Sequence, residues 1–333
     1  MSDAAFEMKN VSRSFGVRLR LGDLIAARFA RKALPQVYAV NDVSLRIETG
    51  EVLGIVGESG CGKSTLARLM AGLIKPSQGE VHFEGRRVDA MSRRDRAKTM
   101  LPAQLVFQNP FAALNPRHRV RRILSQAALI HGLVARCDVD RFVDTLLTSV
   151  GLTPSEKDRF VHEFSGGQRQ RICMARALSV SPRVLICDEP VSALDVSVQA
   201  QILNLLLKLR AEQQLTYVII SHDLSVIRYL SDRVVVMYLG RVVEEAPAAL
   251  AFSEPLHPYT QALARESVES ARGKRVFEPI KGEIPSPIDL PRGCGFHPRC
   301  QLSVERCRRE EPALREVESG RRVACHLVDT RHA

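Results

Sequence analysis

The segment 57–64 constrains the fold of this chain more than any other part of its sequence. It reads Gly-Glu-Ser-Gly-Cys-Gly-Lys-Ser and fits the pattern G-x-x-x-x-G-K-[ST], whose glycines let successive backbone N–H groups turn toward one anion. The apolar run 53–56 before it predicts a buried strand, and apolar residues at helical spacing after it (Leu66, Leu69, Met70 and Leu73) predict a helix. This order places the positive end of the helix at a bound phosphate.

The loop also supplies side chains that a bound nucleotide needs. Lys63 can reach the β- and γ-phosphates of ATP, and the Ser64 hydroxyl can bind Mg²⁺. The alternative is a glycine-rich turn that happens to precede a helix, and it leaves both residues unexplained. The loop residues that we expect around the nucleotide are Gly57, Ser59, Gly60, Cys61, Gly62, Lys63, Ser64 and Thr65.

A second buried strand, with acidic residues at its end, is predicted at 184–190. The apolar run 184–187 is typical of a parallel strand, and Asp188 and Glu189 follow it directly. The Asp188 carboxylate can hold the magnesium shell, while Glu189 points to the other side and is a candidate to polarise an attacking water. The alternative is a strand that ends in a solvated acidic turn.

A third string, Ser-Gly-Gly-Gln at 165–168, completes a resemblance to ABC-type ATPases. Ser165 is a plausible N-cap of a helix that starts at the two glycines, which makes this helix end a second anion-binding site. The resemblance implies a signature segment that contacts ATP and consists of Ser165, Gly166, Gly167 and Gln168.

The same resemblance gives roles to residues that carry little signal alone. It implies that Gln108 senses the γ-phosphate and Mg²⁺, that His222 is the switch histidine, and that Asp195 lies in the D-loop at a dimer seam. Phe15 takes the place of the aromatic residue that stacks on adenine. Tyr38 is a rival because an insertion separates Phe15 from the next strand, and a core role for Phe15 is a further alternative. The implied catalytic set is Glu189, His222 and Gln108.

The order of predicted elements indicates an α/β fold. We expect an ABC-type P-loop ATPase domain at 6–250 with an inserted helical subdomain at about 106–165, followed by a small Cys-rich C-terminal extension at 251–333. A helix is predicted from apolar spacing at Val139, Val143, Leu146, Leu147 and Val150. Later elements are predicted as a helix at 196–210 and strands at 216–221 and 233–238.

The C-terminal extension narrows the resemblance further. His-Pro-Tyr-Thr at 257–260, Gly-Cys-Gly-Phe-His-Pro-Arg-Cys at 293–300 and the segment 108–117 resemble ATP-binding subunits of ABC importers for dipeptides, oligopeptides and nickel. The resemblance implies ATP hydrolysis that energises peptide import through a partner permease. The alternatives are import of nickel or another small solute by the same machinery, or a non-transport ABC ATPase. The implied partners are a paralogous ATPase subunit in a heterodimer, two transmembrane permease subunits and an extracytoplasmic substrate-binding protein.

Four cysteines are grouped in this extension: Cys294, Cys300, Cys307 and Cys325. Disulfides are not expected in a cytoplasmic protein, and four thiolates suit either tetrahedral zinc or an iron–sulfur cluster. The extension is rich in Arg and Pro and has few apolar residues, so a metal would give it order. No C-x-x-C pair is present, which disfavours a zinc ribbon. The resemblance implies a [4Fe–4S] cluster, while zinc and no metal remain alternatives.

Composition and charge bear on location and partners. The chain has no run of 18 apolar residues and no basic segment followed by an apolar one at its N-terminus, so we expect neither a membrane span nor a signal peptide. Together with these absences, the resemblance to importer subunits implies a peripheral protein at the cytoplasmic face of the inner membrane. The net charge is +11, but with 5% aromatic residues and no Trp we expect no nucleic-acid partner. The basic insertion 17–32 has two interpretations. It contacts lipid headgroups or a membrane subunit, or it is a solvated hairpin without a partner.

Overall fold

The computed structural model describes residues 4–17, 34–192, 194–271, 280 and 282–328. Apart from Val17, the basic insertion at 17–32 therefore lies outside the described residues. The strands are β1 (Ala4–Gly16), β2 (Gln36–Glu48), β3 (Val52–Val56), β4 (Gln78–Phe83), β5 (Arg86–Arg87), β6 (Ala103–Val106), β7 (Val184–Asp188), β8 (Thr216–Ile220), β9 (Arg233–Tyr238), β10 (Arg241–Pro247), β11 (Arg315–Glu318) and β12 (Arg321–Val323).

The strands form two sheets in the described part of the chain. The smaller sheet is antiparallel with the order β2-β1-β4-β5, and the larger has the order β11-β12-β10-β9-β3-β8-β7-β6. In the larger sheet, β9, β3, β8, β7 and β6 run parallel to one another, whereas β10, β12 and β11 extend it by antiparallel pairing. All residues of β3 and β7 are buried, and both strands are apolar up to Asp188 at the end of β7, because both faces of the sheet are covered, as the runs 53–56 and 184–187 predict.

The helices cover both faces of the larger sheet. They are α1 (Lys63–Met70), α2 (Arg93–Thr99), α3 (Pro110–Ala113), α4 (Val120–Ile130), α5 (Val139–Ser149), α6 (Gly166–Leu178), α7 (Val196–Gln213), α8 (Leu224–Leu230), α9 (Ala248–Ser253), α10 (Pro258–Ala271) and α11 (Glu305–Arg309), with 3₁₀ turns at Arg136–Asp138, Pro154–Asp158 and Val161–Glu163. Among the described residues, no helix is both long and apolar enough to cross a bilayer.

Two hydrophobic cores lie on opposite faces of the larger sheet. Alternate residues of β3 belong to different cores: Leu53 and Ile55 pack with α1 and the smaller sheet, while Val52 and Val56 belong to the core on the other face, which includes α8. The apolar spacing that starts at Val139 forms α5, as predicted. The chain leaves this helix at Gly151, whose φ of +73° favours glycine. The predicted helix at 196–210 extends to Gln213, and the two predicted strands after it are present as β8 and β9.

The C-terminal extension differs from its predicted form. The sequence suggested a tail with little core of its own, but β12 pairs with β10 and so continues the main sheet. Tyr259 and Phe296 are 0% and 3% exposed, and their rings pack against each other and against Tyr238 at the end of β9. The extension is therefore ordered by packing on the larger sheet, which the local composition of the extension could not indicate.

His257 is buried in this same region and is held in its neutral form. Its Nδ1 accepts a hydrogen bond from the backbone N–H of Tyr259 at 3.0 Å, and the backbone of Ala324 provides a further partner. Burial lowers the pKa of His257 from the ordinary 6.5 to about 4. Below pH 6.5 the unfolded chain therefore binds a proton that the folded chain excludes, so the fold loses stability as the pH falls from 6.5 toward 4.

We predict that His257→Asn flattens this pH dependence. Asn can accept the same N–H bond but does not titrate, so the fall in the free energy of unfolding between pH 6.5 and pH 4 should be smaller than in the parent. Urea titrations at several pH values measure it. His131→Asn, at an exposed position, is the control and should keep the parental slope. Equal pH slopes for the parent and His257→Asn would contradict the prediction.

Candidate functional site

The candidate site lies where four neighbouring parallel strands end at one edge of the sheet. The phosphate-loop segment 57–64 follows β3, His222 follows β8, Glu189 follows β7, and Gln108 follows β6. Because the carboxyl ends of parallel strands meet at one edge, residues more than a hundred positions apart come together here. An open cleft of about 800 Å³ occupies this edge.

The loop takes its shape from close contacts with neighbouring backbone. Gly57 has a φ of +150°, and a Cβ there would lie 2.2 Å from the carbonyl oxygen of Met237. Gly62 has a φ of +108°, and a Cβ there would lie 1.9 Å from the carbonyl oxygen of Ala39. No other residue type fits either place without moving backbone. The helix α1 begins directly after Gly62, so its free N–H groups face the cleft.

Lys63 and Ser64 are both anchored at the start of α1. Lys63 is 5% exposed, and its Nζ donates to the carbonyl oxygens of Gly57 at 2.5 Å and Glu58 at 3.0 Å. Ser64 Oγ donates to Asp188 Oδ1 at 3.1 Å. Burial raises the pKa of Asp188, and the hydrogen bond from Ser64 opposes that shift. A hydroxyl and a carboxylate side by side form an oxygen donor set that suits Mg²⁺.

Glu189 is the centre of a second group of polar side chains. Gln108 Nε2 donates to Glu189 Oε2 at 2.6 Å, and His222 Nδ1 lies 3.1 Å from Glu189 Oε1. The backbone of Glu189 has a φ of +49°, a left-handed conformation that is uncommon outside glycine and typical of functional sites. Its N–H donates to the carbonyl oxygen of Ile220 at 2.9 Å, which holds this conformation in place. The carboxylate is thus fixed at the mouth of the cleft.

In the described part of the chain, ten of the residues predicted for the nucleotide site line the cleft, and Gly57, Cys61 and Asp188 lie outside the lining of this cleft. Its lining residues are Phe15, Val37, Ala39, Ser59, Gly60, Gly62, Lys63, Ser64, Thr65, Gln108, Glu189, Ser192 and His222. Phe15 is in this group, with the Arg13 guanidinium 4.7 Å from its ring centroid, and its rival Tyr38 is absent from the lining that the described residues provide. Val37 and Ala39 were missed by the sequence analysis, because small or apolar side chains in a strand carry no chemical signal.

The segment 165–168 forms the predicted helix cap but does not line this cleft in the described structure. Ser165 Oγ accepts from the N–H of Gln168 at 3.3 Å, and Gln168 Oε1 accepts from the N–H of Ser165 at 3.0 Å. A Cβ at Gly167 would lie 2.4 Å from the side chain of Val198, so this glycine allows α7 to approach α6. Asp195 sits directly before α7 and also lies outside the lining of the cleft.

The four cysteines of the extension are near one another but not convergent. Burial, with smaller contributions from charge repulsion by the nearby thiols of Cys307, Cys325 and Cys300, raises the pKa of Cys294 to about 11. Across the described ranges, however, no group of three or more His, Cys, Asp or Glu side chains is arranged to hold a metal ion. The structure therefore does not support the predicted iron–sulfur cluster or its zinc alternative directly.

Comparisons with known proteins agree on one family. The family model for ABC transporters matches residues 40–192, and that for the oligopeptide/dipeptide transporter C-terminal region matches residues 243–307. The oligopeptide transport ATP-binding protein AppF of Bacillus subtilis is 46% identical over 98% of this chain and 98% of its own length. A probable peptide ABC transporter ATP-binding protein, y4tS of Sinorhizobium fredii, is 44% identical over 98% of this chain and 91% of its own.

A solved structure with the same fold carries a bound nucleotide product. It is the dimeric post-hydrolysis state of the ATP-binding cassette MJ0796 bound to ADP and Pi. Its TM-score with this chain is 0.63 at 26% sequence identity, and the match covers 73% of this chain and 98% of that one.

Because the loop lies so close to the backbone of Ala39, we predict that Gly62→Ala strongly lowers both stability and Mg-ATP binding. The new Cβ would collide with a backbone carbonyl at a strained φ, so we expect a stability loss of at least about 2 kcal/mol and no measurable Mg-ATP binding. Gly50→Ala is the matched control: φ is +79° there, but no described atom lies within 4 Å of its Cβ position, so binding should be unchanged. Calorimetric titration with Mg-ATP and thermal unfolding measure both effects. Parental Mg-ATP affinity in Gly62→Ala would contradict the account.

Proposed function

Since this chain belongs to the family of ATP-binding proteins of oligopeptide and dipeptide ABC transporters, we propose that it hydrolyses ATP to drive the import of di- or oligopeptides through a partner permease. One observation carries the proposal. Lys63, Ser64 and the Glu189 group line one cleft, and Asp188 is hydrogen-bonded to Ser64, so phosphate binding and water activation are available at the same place. The region that the peptide-transporter family model matches, residues 243–307, packs against the end of β9 through the rings of Tyr259 and Phe296.

Nucleotide binding is proposed to use the loop and its flanks. The backbone N–H groups after Gly57 and the Nζ of Lys63 hold the β- and γ-phosphates, and the ring of Phe15 stacks on the adenine. Ser64, which is hydrogen-bonded to Asp188, would hold Mg²⁺ together with Asp188 and the amide oxygen of Gln108, and the bound ion would neutralise charge on the phosphate oxygens.

Hydrolysis is proposed to depend on Glu189. Its carboxylate orients a water for in-line attack on the γ-phosphorus and accepts a proton from that water. The bond between the γ-phosphorus and the oxygen that bridges the β- and γ-phosphates breaks, and ADP leaves. Gln108 and His222 hold the carboxylate in place at 2.6 Å and 3.1 Å, and both can also donate to a γ-phosphate. The fixed backbone at Glu189 keeps this geometry without rearrangement during the reaction.

Substitutions separate the binding and hydrolysis roles. Glu189→Gln should keep Mg-ATP affinity but lower turnover by about 10²-fold or more, because the loop is intact and the proton acceptor is lost. Lys63→Ala should weaken Mg-ATP binding itself. Glu212→Gln, an exposed carboxylate on α7, is the matched control with parental turnover. Binding is measured by calorimetry and turnover by phosphate release in the assembled transporter. A parental rate in Glu189→Gln would show that Glu189 is not the base.

A second chain is proposed to complete the site. The segment 165–168 lies outside the cleft of its own chain in the described structure, and its capped helix end is suited to bind a phosphate. We therefore expect the segment 165–168 of a paralogous ATPase subunit to cover this cleft, with Asp195 near the seam. The complex would also contain two transmembrane permease subunits and an extracytoplasmic substrate-binding protein, with this chain peripheral at the cytoplasmic face of the inner membrane.

The peptide substrate class has its own test. In the reconstituted transporter, ATP turnover should rise when the substrate-binding protein is loaded with a di- or oligopeptide, and labelled peptide should accumulate only with hydrolysable ATP. Nickel is the matched comparison, since it is the alternative cargo of similar importers. Stimulation and uptake with nickel but not with peptide would overturn the peptide assignment and leave the ATPase intact.

A [4Fe–4S] cluster on Cys294, Cys300, Cys307 and Cys325 remains a proposal. The four thiols interact electrostatically, yet among the described residues no three converge on a point that could hold one ion. A single zinc needs such convergence, whereas a cubane holds its thiolates further apart because each binds a different iron. What supports the proposal is the donor set itself, since four cysteines in one extension match the four thiolates that a cubane binds.

Anaerobic purification tests the cluster. The protein should be brown and contain about four iron and four acid-labile sulfide per chain, as a four-thiolate cubane requires. Cys307→Ser should abolish the colour, and Cys137→Ser, at an exposed thiol, should retain it. One zinc per chain, or neither metal, would rule the cluster out.

A further inference from the structure

Glu58, the second residue of the phosphate loop, is held by the C-terminal extension. Arg299 Nη1 donates to Glu58 Oε2 at 2.6 Å, and Arg299 Nη2 donates to Glu58 Oε1 at 2.9 Å, which is a two-armed contact. The hydroxyl of Tyr259 accepts from the backbone N–H of Glu58 at 2.8 Å. Residues of the extension therefore form hydrogen bonds with both the side chain and the backbone of Glu58.

The backbone carbonyl group of Glu58 contacts Lys63, the proposed phosphate-binding lysine. The carbonyl oxygen of Glu58 accepts from Lys63 Nζ at 3.0 Å and from the N–H of Cys61 at 3.3 Å. A displacement of Glu58 would thus move the lysine and the turn of the loop together. Glu58 therefore connects the extension directly to the phosphate loop.

Arg299 is itself fixed by its surroundings. Its side chain is 4% exposed, and its guanidinium also lies 3.4 Å from the hydroxyl of Tyr238 and 3.4 Å from the carbonyl oxygen of Ile280. Phe296, three residues earlier, packs against Tyr238 and Tyr259 with ring centroids 5.3 Å away in both cases. The aromatic packing orders the segment that carries Arg299, so the guanidinium has little freedom to leave Glu58.

The ion pair between Arg299 and Glu58 also changes the net charge beside the phosphate loop. The Glu58 carboxylate is only partly exposed and lies next to a loop that must receive the negative charge of ATP phosphates. The guanidinium of Arg299 neutralises this carboxylate. Without Arg299, a partly buried, unpaired negative charge would remain beside the phosphate site and would oppose nucleotide binding.

We propose that Arg299 and Tyr259 are positioning residues that clamp the phosphate loop at Glu58, so that nucleotide affinity depends on the folded C-terminal extension. The proposal rests on the proposed function, since it takes the loop to be the ATP site. It makes the extension, which carries the four cysteines on both sides of Arg299, a part of the nucleotide site.

The test measures Mg-ATP dissociation constants by calorimetry on the full-length chain. Arg299→Met should weaken Mg-ATP binding by about tenfold or more, through lost positioning and unpaired charge. Arg299→Lys keeps the charge but not the two-armed geometry, so its loss should be intermediate. Tyr259→Phe removes only the acceptor for the Glu58 N–H and should weaken binding about threefold.

Two matched controls separate the clamp from general effects. Arg309→Met breaks an exposed ion pair with Glu305 in the same extension, and Tyr217→Phe removes a buried hydroxyl that bonds the carbonyl oxygen of Leu206. Neither residue contacts the loop in the described structure, so both variants should bind Mg-ATP as the parent does. Thermal unfolding identifies any variant that fails to fold, in which case Tyr259→Phe carries the test.

The Glu58→Gln background decides whether Arg299 acts through Glu58. With the carboxylate neutral, adding Arg299→Met should cause a much smaller loss than it does in the parent. Equal losses in the two backgrounds, or parental affinity in folded Arg299→Met and Tyr259→Phe, would overturn the clamp. Absence of Mg-ATP binding by the folded parent would instead overturn the proposed function, and the clamp with it.

Discussion

The close fit of the phosphate loop against neighbouring backbone is the constraint on which the site depends. Gly57 and Gly62 approach the carbonyl oxygens of Met237 and Ala39 so closely that a Cβ at either position would displace them. Met237 belongs to β9 and Ala39 to β2, so both sheets help to shape the loop. The fold as a whole therefore sets the loop geometry, and the start of α1 is placed to bind phosphate as a result.

Parts of the site with a strong local pattern could be predicted from the sequence. The loop, and Asp188 and Glu189 after an apolar strand, follow from residue spacing alone because strand, turn and charge are adjacent in the chain. Gln108 and His222 could be assigned only by resemblance to a family, since a single glutamine or histidine after a strand has no distinctive pattern. The structure brings both to Glu189, at 2.6 Å and 3.1 Å.

The extension shows why the remainder could not be predicted. Its composition suggested a tail that needs a metal for order, but β12 pairs with β10, and Phe296 packs into the aromatic group at the end of β9. Glu58 and Arg299 are 241 positions apart, and neither belongs to a pattern that pairs them. Contacts of this range depend on how the whole chain folds, so they are visible only in three dimensions.

The most direct test of the account is a structure of the assembled transporter with Mg-ATP bound to the Glu189→Gln variant. The account predicts that the phosphates lie on the loop at Lys63, that Gln108 and His222 contact the γ-phosphate, and that the adenine stacks on Phe15. It also predicts that the signature segment of a second ATPase chain covers the nucleotide. ATP bound elsewhere, or a loop cleft that holds ATP without a second chain over it, would contradict the account.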